Sequence, residues 1–204
     1  KKNESEEDDA ETFYPYMKPS TVKYAKLSPN YIQSKKSQVE NFCDKYWRNE
    51  NNSLSFLVAK DGQIIYERYQ GYANKNKDTK ITQETPIHIA SVSKVLTATA
   101  VLILIDRKDI DLNQKVNTIL DNFPYPDITV ATLLNHRSGL RNYAYFIEDK
   151  GVWDLHNTIT NQDILNLFTE KNIQLESKTD TRFSYCNTNY AMLALIIEKV
   201  TGLK

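Results

Sequence analysis

The sequence predicts an α+β fold. An amphipathic stretch over 31–48, two β-prone runs around Asp61-Gly62, and a helix-rich remainder beyond residue 85 carry that expectation. In 31–48, Ile32, Val39, Phe42, Cys43, Tyr46 and Trp47 share one stripe, while Lys35, Lys36 and Glu40 fall elsewhere. Residues 53–59 and 63–69 flank Lys60-Asp61-Gly62, and Asp-Gly supplies the positive φ that a tight hairpin turn needs. Residues 74–84 read as polar loop. Thr85 to Ala90 then lead into a helix headed by Ser91 and running through Val95–Ile105; being apolar on nearly every face, it is expected to be buried. Connectors at 109–112 and 122–126 precede a short helix over 130–136, with Thr129 as N-cap and Gly139 as its close. Tyr143, Tyr145, Phe146 and Trp153 read as packing. Helices over 161–171 and 190–200 follow, the second stopped by Gly202. Two strands are marginal on their own, and 31–48 is the one cover in sight, so the sheet is expected to be incomplete.

Composition narrows the function. Apolar and charged contents of 40% and 25% are ordinary for a globular chain of 204 residues. The net charge of zero hides an asymmetry, since residues 1–12 hold two lysines against six acids, net −4, leaving +4 on the rest. The expected organisation is an acidic flexible tail and linker at 1–22, a helix-and-hairpin part at 23–80, and a helical part at 81–204. No basic stripe with interleaved aromatics suggests a nucleic-acid partner. The longest apolar run of the Ser91 helix, Val101–Ile105, is far too short to span a bilayer. No leader is legible, which suits a cytoplasmic chain or an exported one whose leader has been removed. Cys43 and Cys186 are too isolated for a disulfide framework, and His88, His136 and His156 lack ligand spacing, so neither a metal nor another cofactor is expected. His88 reads as a structural residue ahead of the helix.

The chemistry-bearing feature is Ile89-Ala90-Ser91-Val92-Ser93-Lys94. A spacing of three puts Ser91 and Lys94 side by side on one helical face. Ser91 also lies at the helix head, where free backbone N–H groups and the positive dipole end favour a developing oxyanion. An amine beside it can trade protons with the hydroxyl. The plainer reading is that both are helix-cap residues. Ser20-Thr21-Val22-Lys23 repeats the spacing in a polar linker with no helix behind it, and Tyr72-Ala73-Asn74 repeats Tyr-x-Asn at a strand end, so neither motif is specific by itself.

Four pieces together resemble the penicillin-recognising serine hydrolases, in the branch of class C β-lactamases, D-alanyl-D-alanine carboxypeptidases and related esterases. They are Ile89–Lys94, Leu133-Leu134-Asn135-His136-Arg137-Ser138-Gly139-Leu140, Phe183-Ser184-Tyr185-Cys186-Asn187-Thr188-Asn189-Tyr190-Ala191, and Ile197-Glu198-Lys199-Val200-Thr201-Gly202. The resemblance implies a β-lactamase/transpeptidase-like fold in which Ser91 forms an acyl-enzyme, Lys94 and Tyr185 share the proton work, and Asn187 binds substrate amide or orients Lys94. Burial would favour a neutral Lys94 but oppose a Tyr185 phenolate, which needs nearby cations, so the identity of the base stays open. The implied substrates are β-lactams, D-Ala-D-Ala peptides or small esters. A binding module for peptidoglycan stem peptides or a partner, without turnover, is the alternative. The implied location is exported, either periplasmic or lipoprotein-like at the outer surface, with a removed or lipidated leader as a tether.

Three departures from the family pattern stand out. Cys186 replaces the usual serine between Tyr185 and Asn187, and is expected to point away from both. No Ser-Asp-Asn triplet occurs, which argues against the class A type. The third family motif, a Lys-Thr-Gly or His-x-Gly strand, is absent, Lys60-Asp61-Gly62 being the hairpin turn. Loss of the oxyanion donor on that strand costs about 3–4 kcal/mol, so the chain is expected to be a fragment, weak or inactive alone.

Overall fold

A computed structural model describes residues 23–49 and 52–203. The expected tail at 1–22, and Ser20 of the second Ser-x-x-Lys match, lie outside the described residues. Two compact units divide between His88 and Ile89 rather than at 80/81. The reason is local: Ile81 is buried and its N–H donates to the Gly71 carbonyl at 3.0 Å, which keeps the chain beyond residue 80 with the hairpin.

In the first unit, α1 (Pro29–Tyr46) starts where the Ser28 hydroxyl accepts from the Tyr31 N–H at 3.2 Å, with proline in the first turn. Strands β1 (Leu54–Lys60) and β2 (Gln63–Gln70) pair antiparallel across Asp61 (φ 49) and Gly62 (φ 71), both left-handed as a primed hairpin turn requires. Val58 pairs with Tyr66 and Ala59 with Ile64, so Ile65 is a bulge residue. The bulge lets Ile65 and Tyr66 both be buried, which strict alternation would forbid. Against β2, α1 sets its buried Cys43, an Asp44–Arg68 ion pair at 2.7 Å, and Trp47 edge-on to Phe56 of β1 at 4.9 Å. Part of the expected 74–84 loop is strand: β3 (Tyr72–Asn74) pairs with β4 (Thr79–Lys80). Segments of three and two residues are too short to carry a period-two pattern. Among the described residues both sheets are two-stranded.

The second unit opens with a 3-10 turn at Ala90–Val92 and continues as α2 (Ser93–Asp106), α3 (Val130–Leu134), α4 (Tyr143–Phe146), α5 (Asn161–Glu170) and α6 (Asn187–Thr201). Helix α6 is the hub on which α2, α3 and α5 pack, and Met192, Leu193 and Ile196 are fully buried there. It begins at Asn187 rather than Tyr190, because Thr188 and Asn189 are buried polar residues whose side chains bond the 136–143 segment. Gly202, at φ 73, ends it. Helix α3 stops at Leu134 because His136 turns left-handed, φ 58. The expectation that α2 is buried fails: Val101 and Leu104 are buried, but Val95, Leu96, Leu102 and Ile103 are exposed. One side of α2 meets α6, and a helix apolar all round still needs a covering element for each remaining face.

Candidate active site

Ser91 lies in the 3-10 turn directly after Ala90, whose φ of 46 is left-handed. That conformation costs an alanine about 1–2 kcal/mol, strain of the sort that collects where a side chain must be aimed. The Ser93 hydroxyl donates to the Ala90 carbonyl at 2.7 Å and braces the turn. One turn on, Lys94 donates from Nζ to Ser91 Oγ at 3.1 Å.

Tyr185 arrives from the far end of the unit's sequence, on an extended segment just ahead of α6. Its Oη lies 2.6 Å from Ser91 Oγ, and its ring lies beneath Lys94 Nζ at 4.9 Å. Because Lys94 donates to Ser91 Oγ, the serine hydrogen is free to point at the phenol oxygen. Hydrogen bonding with Lys94 and with Ser91 pulls the Tyr185 phenol below its ordinary value. Tyr185 is 49% exposed, so solvent shares in screening that pull.

Of the four residues singled out in the sequence, the structure brings three together. Asn187 opens α6 and is half-buried, but no hydrogen bond joins its side chain to Ser91, Lys94 or Tyr185. Cys186 turns inward while Tyr185 turns outward, as extended backbone dictates; its Sγ reaches the Leu140 carbonyl at 3.3 Å. Burial pushes its thiol up, so it holds little thiolate at neutral pH. The aromatic segment 143–153 packs only in part: Phe146 is fully buried, with Tyr143 and Trp153 against the same core, but Tyr145 is exposed.

His136 is the residue that sequence reasoning passed over. It is 8% exposed, and its ring lies 4.5 Å from that of Tyr185, centre to centre. Its Nδ1 accepts the Cys186 N–H at 3.2 Å, and its carbonyl accepts the Ser184 N–H at 2.8 Å. Asn189 Nδ2 lies 3.3 Å from the same Nδ1, and Asn189 Oδ1 accepts from the buried Ser138 hydroxyl at 2.6 Å. Burial, then the nearby Lys94 charge, hold the imidazole below its ordinary value. Its partners come from fifty positions along the chain, so no local pattern reveals it. The one signal was its place in the Leu133–Leu140 piece of the resemblance.

Residues 39–204 match the beta-lactamase family. Over 172 residues the chain is 30% identical to penicillin-binding protein 4* of Bacillus subtilis, covering 84% of this chain and 38% of that one. It is 31% identical over 153 residues to a D-aminopeptidase of Brucella anthropi, covering 71% of this chain and 27% of the other. A penicillin-binding protein from Bacillus halodurans superposes with a TM-score of 0.62 at 22% identity, over 88% of this chain and 50% of that one, a likeness of fold. The chain thus spans well under half the length of these two sequence relatives.

Proposed function

Since the chain belongs to the beta-lactamase family, we propose that Ser91 is the nucleophile of a serine hydrolase working through an acyl-enzyme on β-lactams and on peptides of D-amino acids. The observation that carries this reading is the meeting of Ser91 Oγ with Tyr185 Oη at 2.6 Å and Lys94 Nζ at 3.1 Å. The substrate class is supported by relatives named penicillin-binding protein and D-aminopeptidase.

In the proposed acylation, the Ser91 proton passes to Tyr185 as Oγ bonds the carbonyl carbon. Lys94 keeps its proton and steadies the phenolate that Tyr185 must be to accept one. The proton then moves to the leaving nitrogen as the C–N bond breaks. Water adds to the ester in the second half, releasing the acid and returning the hydrogen to Ser91. The Ser91 N–H, at the head of α2, supplies one oxyanion donor. Asn187, at the start of α6, would on this reading contact the substrate amide rather than orient Lys94, to which it makes no hydrogen bond. Cell-wall stem peptides as substrates would put the enzyme outside the cytoplasm.

The test is covalent labelling by a fluorescent penicillin, on the longest gene product containing this chain. The label should map to Ser91 by peptide mass and vanish in Ser91→Ala. Turnover should fall on the order of 10³-fold or more in the same variant. Labelling that persists in Ser91→Ala would overturn the assignment. Turnover of p-nitrophenyl esters without label would redirect it to an esterase, and neither activity to a binding module.

A further inference from the structure

We propose that His136 is the positioning residue for Tyr185, and that it holds the phenol in place only as the neutral imidazole protonated on Nε2. This rests on the proposed role of Tyr185.

The geometry is a clamp on both sides of one residue. The His136 carbonyl takes the N–H of Ser184 and its Nδ1 takes the N–H of Cys186, so the backbone flanking Tyr185 is held at each end by a single residue. The left-handed backbone at His136 goes with this double engagement, and histidine is among the residues that tolerate it. The ring then supports the Tyr185 ring at 4.5 Å, edged by Phe183 at 5.9 Å and backed by Tyr190 at 5.2 Å.

The proton inventory fixes the tautomer. The Leu140 N–H donates to Ser138 Oγ, which leaves the Ser138 hydrogen for Asn189 Oδ1. The other end of the amide is therefore an NH₂ group, aimed at His136 Nδ1. Two donors, Asn189 Nδ2–H and Cys186 N–H, converge on that nitrogen, so it carries no hydrogen and the ring proton is on Nε2. A second proton would have to enter at Nδ1, break both bonds, and leave a cation facing Lys94. Among the described residues, the other titratable groups in contact with the ring are Tyr185 and Cys186 from the extended segment and Tyr190 from α6; none of these is a carboxylate that would welcome the charge.

Protonation of His136 therefore releases the Cys186 end of the clamp, and Tyr185 with it. The activity should fall as pH drops through a value below the ordinary imidazole value of about 6.5. His136→Asn separates this from plain packing. Asparagine also tolerates the left-handed backbone, its Oδ1 falls near the position of Nδ1, and it does not titrate. His136→Ala should slow acylation about 10²-fold through a misplaced phenol. His136→Asn should recover most of that loss, keep the limb set by the Tyr185 phenolate, and lack the second, steeper fall that His136 protonation adds at lower pH.

The direct readout is nuclear magnetic resonance of the longest gene product containing this chain, labelled with ¹⁵N-histidine and ¹³C-tyrosine. At neutral pH Nδ1 should show the shift of an unprotonated nitrogen, and the Tyr185 ring signal should move as His136 titrates, with no such inflection in His136→Asn. A proton on Nδ1 at neutral pH, the second lower-pH fall kept in His136→Asn, or a Tyr185 signal indifferent to the titration would each overturn the proposal. If no penicillin or ester reacts with Ser91, the functional reading fails, while the resonance experiment still decides the clamp.

Discussion

Lys94 stands at the centre of the proposed chemistry without being asked to lose its proton. Its Nζ donates to Ser91 Oγ and lies over the rings of Tyr185 and Tyr190, at 4.9 and 5.7 Å. A cation there stabilises the phenolate form of Tyr185, the direction in which its titration is displaced. Phenolate forms as pH rises, so a pull downward brings the base into play at lower pH. Removing the cation reverses the sign. Lys94→Gln should move the Tyr185 phenolate absorbance, followed by ultraviolet difference titration, to higher pH. The rising limb of the acylation rate should move the same way. An unmoved titration would mean that the pull on Tyr185 comes from elsewhere. The sequence alone left Lys94 and Tyr185 as equal candidates for the base. A spacing of three says that Lys94 adjoins Ser91, but not that a phenol ninety-four positions away shares the same hydroxyl.

At the scale of elements, short helices hold the site's supports, and their caps matter in proportion. Helix α3 has only five residues, too few for intrinsic stability, and leads directly into the His136 clamp. Its start is fixed by a reciprocal pair: Thr129 Oγ1 accepts from the Thr132 N–H at 3.2 Å, and Thr132 Oγ1 accepts from the Thr129 N–H at 2.9 Å. Thr129→Ala should lower unfolding stability by about 1 kcal/mol, read by urea titration. Acylation should fall further than stability alone explains, because α3 leads directly into His136; an unchanged rate per folded molecule would uncouple the two. Thr129 was legible as a cap because a threonine directly before an apolar run is a local signal. The hairpin was legible for the same reason, through Asp61-Gly62. The true start of α6 was not. Three polar residues, Asn187, Thr188 and Asn189, look like loop until Thr188 is seen donating to the Arg141 carbonyl and Asn189 bonding Ser138 and His136. Those bonds are tertiary, and nothing within a window of ten residues announces them.

At the scale of the whole molecule, the buried core and the apolar content of the chain do not coincide. The second unit centres its core on α6, yet α2, the most uniformly apolar helix by sequence, shows Val95 at 64% and Leu96 at 66% exposure, with Leu102 and Ile103 also open. The sequence shows α2 to be apolar on nearly every face; burial itself depends on what is packed there, which periodicity does not encode. Contiguous apolar surface of this kind drives association, and a formal net charge of zero near neutrality provides no long-range repulsion against it. The 204-residue chain should therefore scatter light and bind a hydrophobic dye near pH 7. A charge on the open side ought to relieve both: Leu96→Glu removes an exposed apolar side chain and adds a negative charge, in the second turn of the helix, where the dipole tolerates it. Stability should change by no more than about 0.5 kcal/mol, the range for surface substitutions. Val101→Glu on the same helix is the contrast, since that side chain is fully buried and an unpaired carboxylate there should unfold the unit. If Leu96→Glu destabilised the chain as severely as Val101→Glu, the open side of α2 would have to be a packed surface after all.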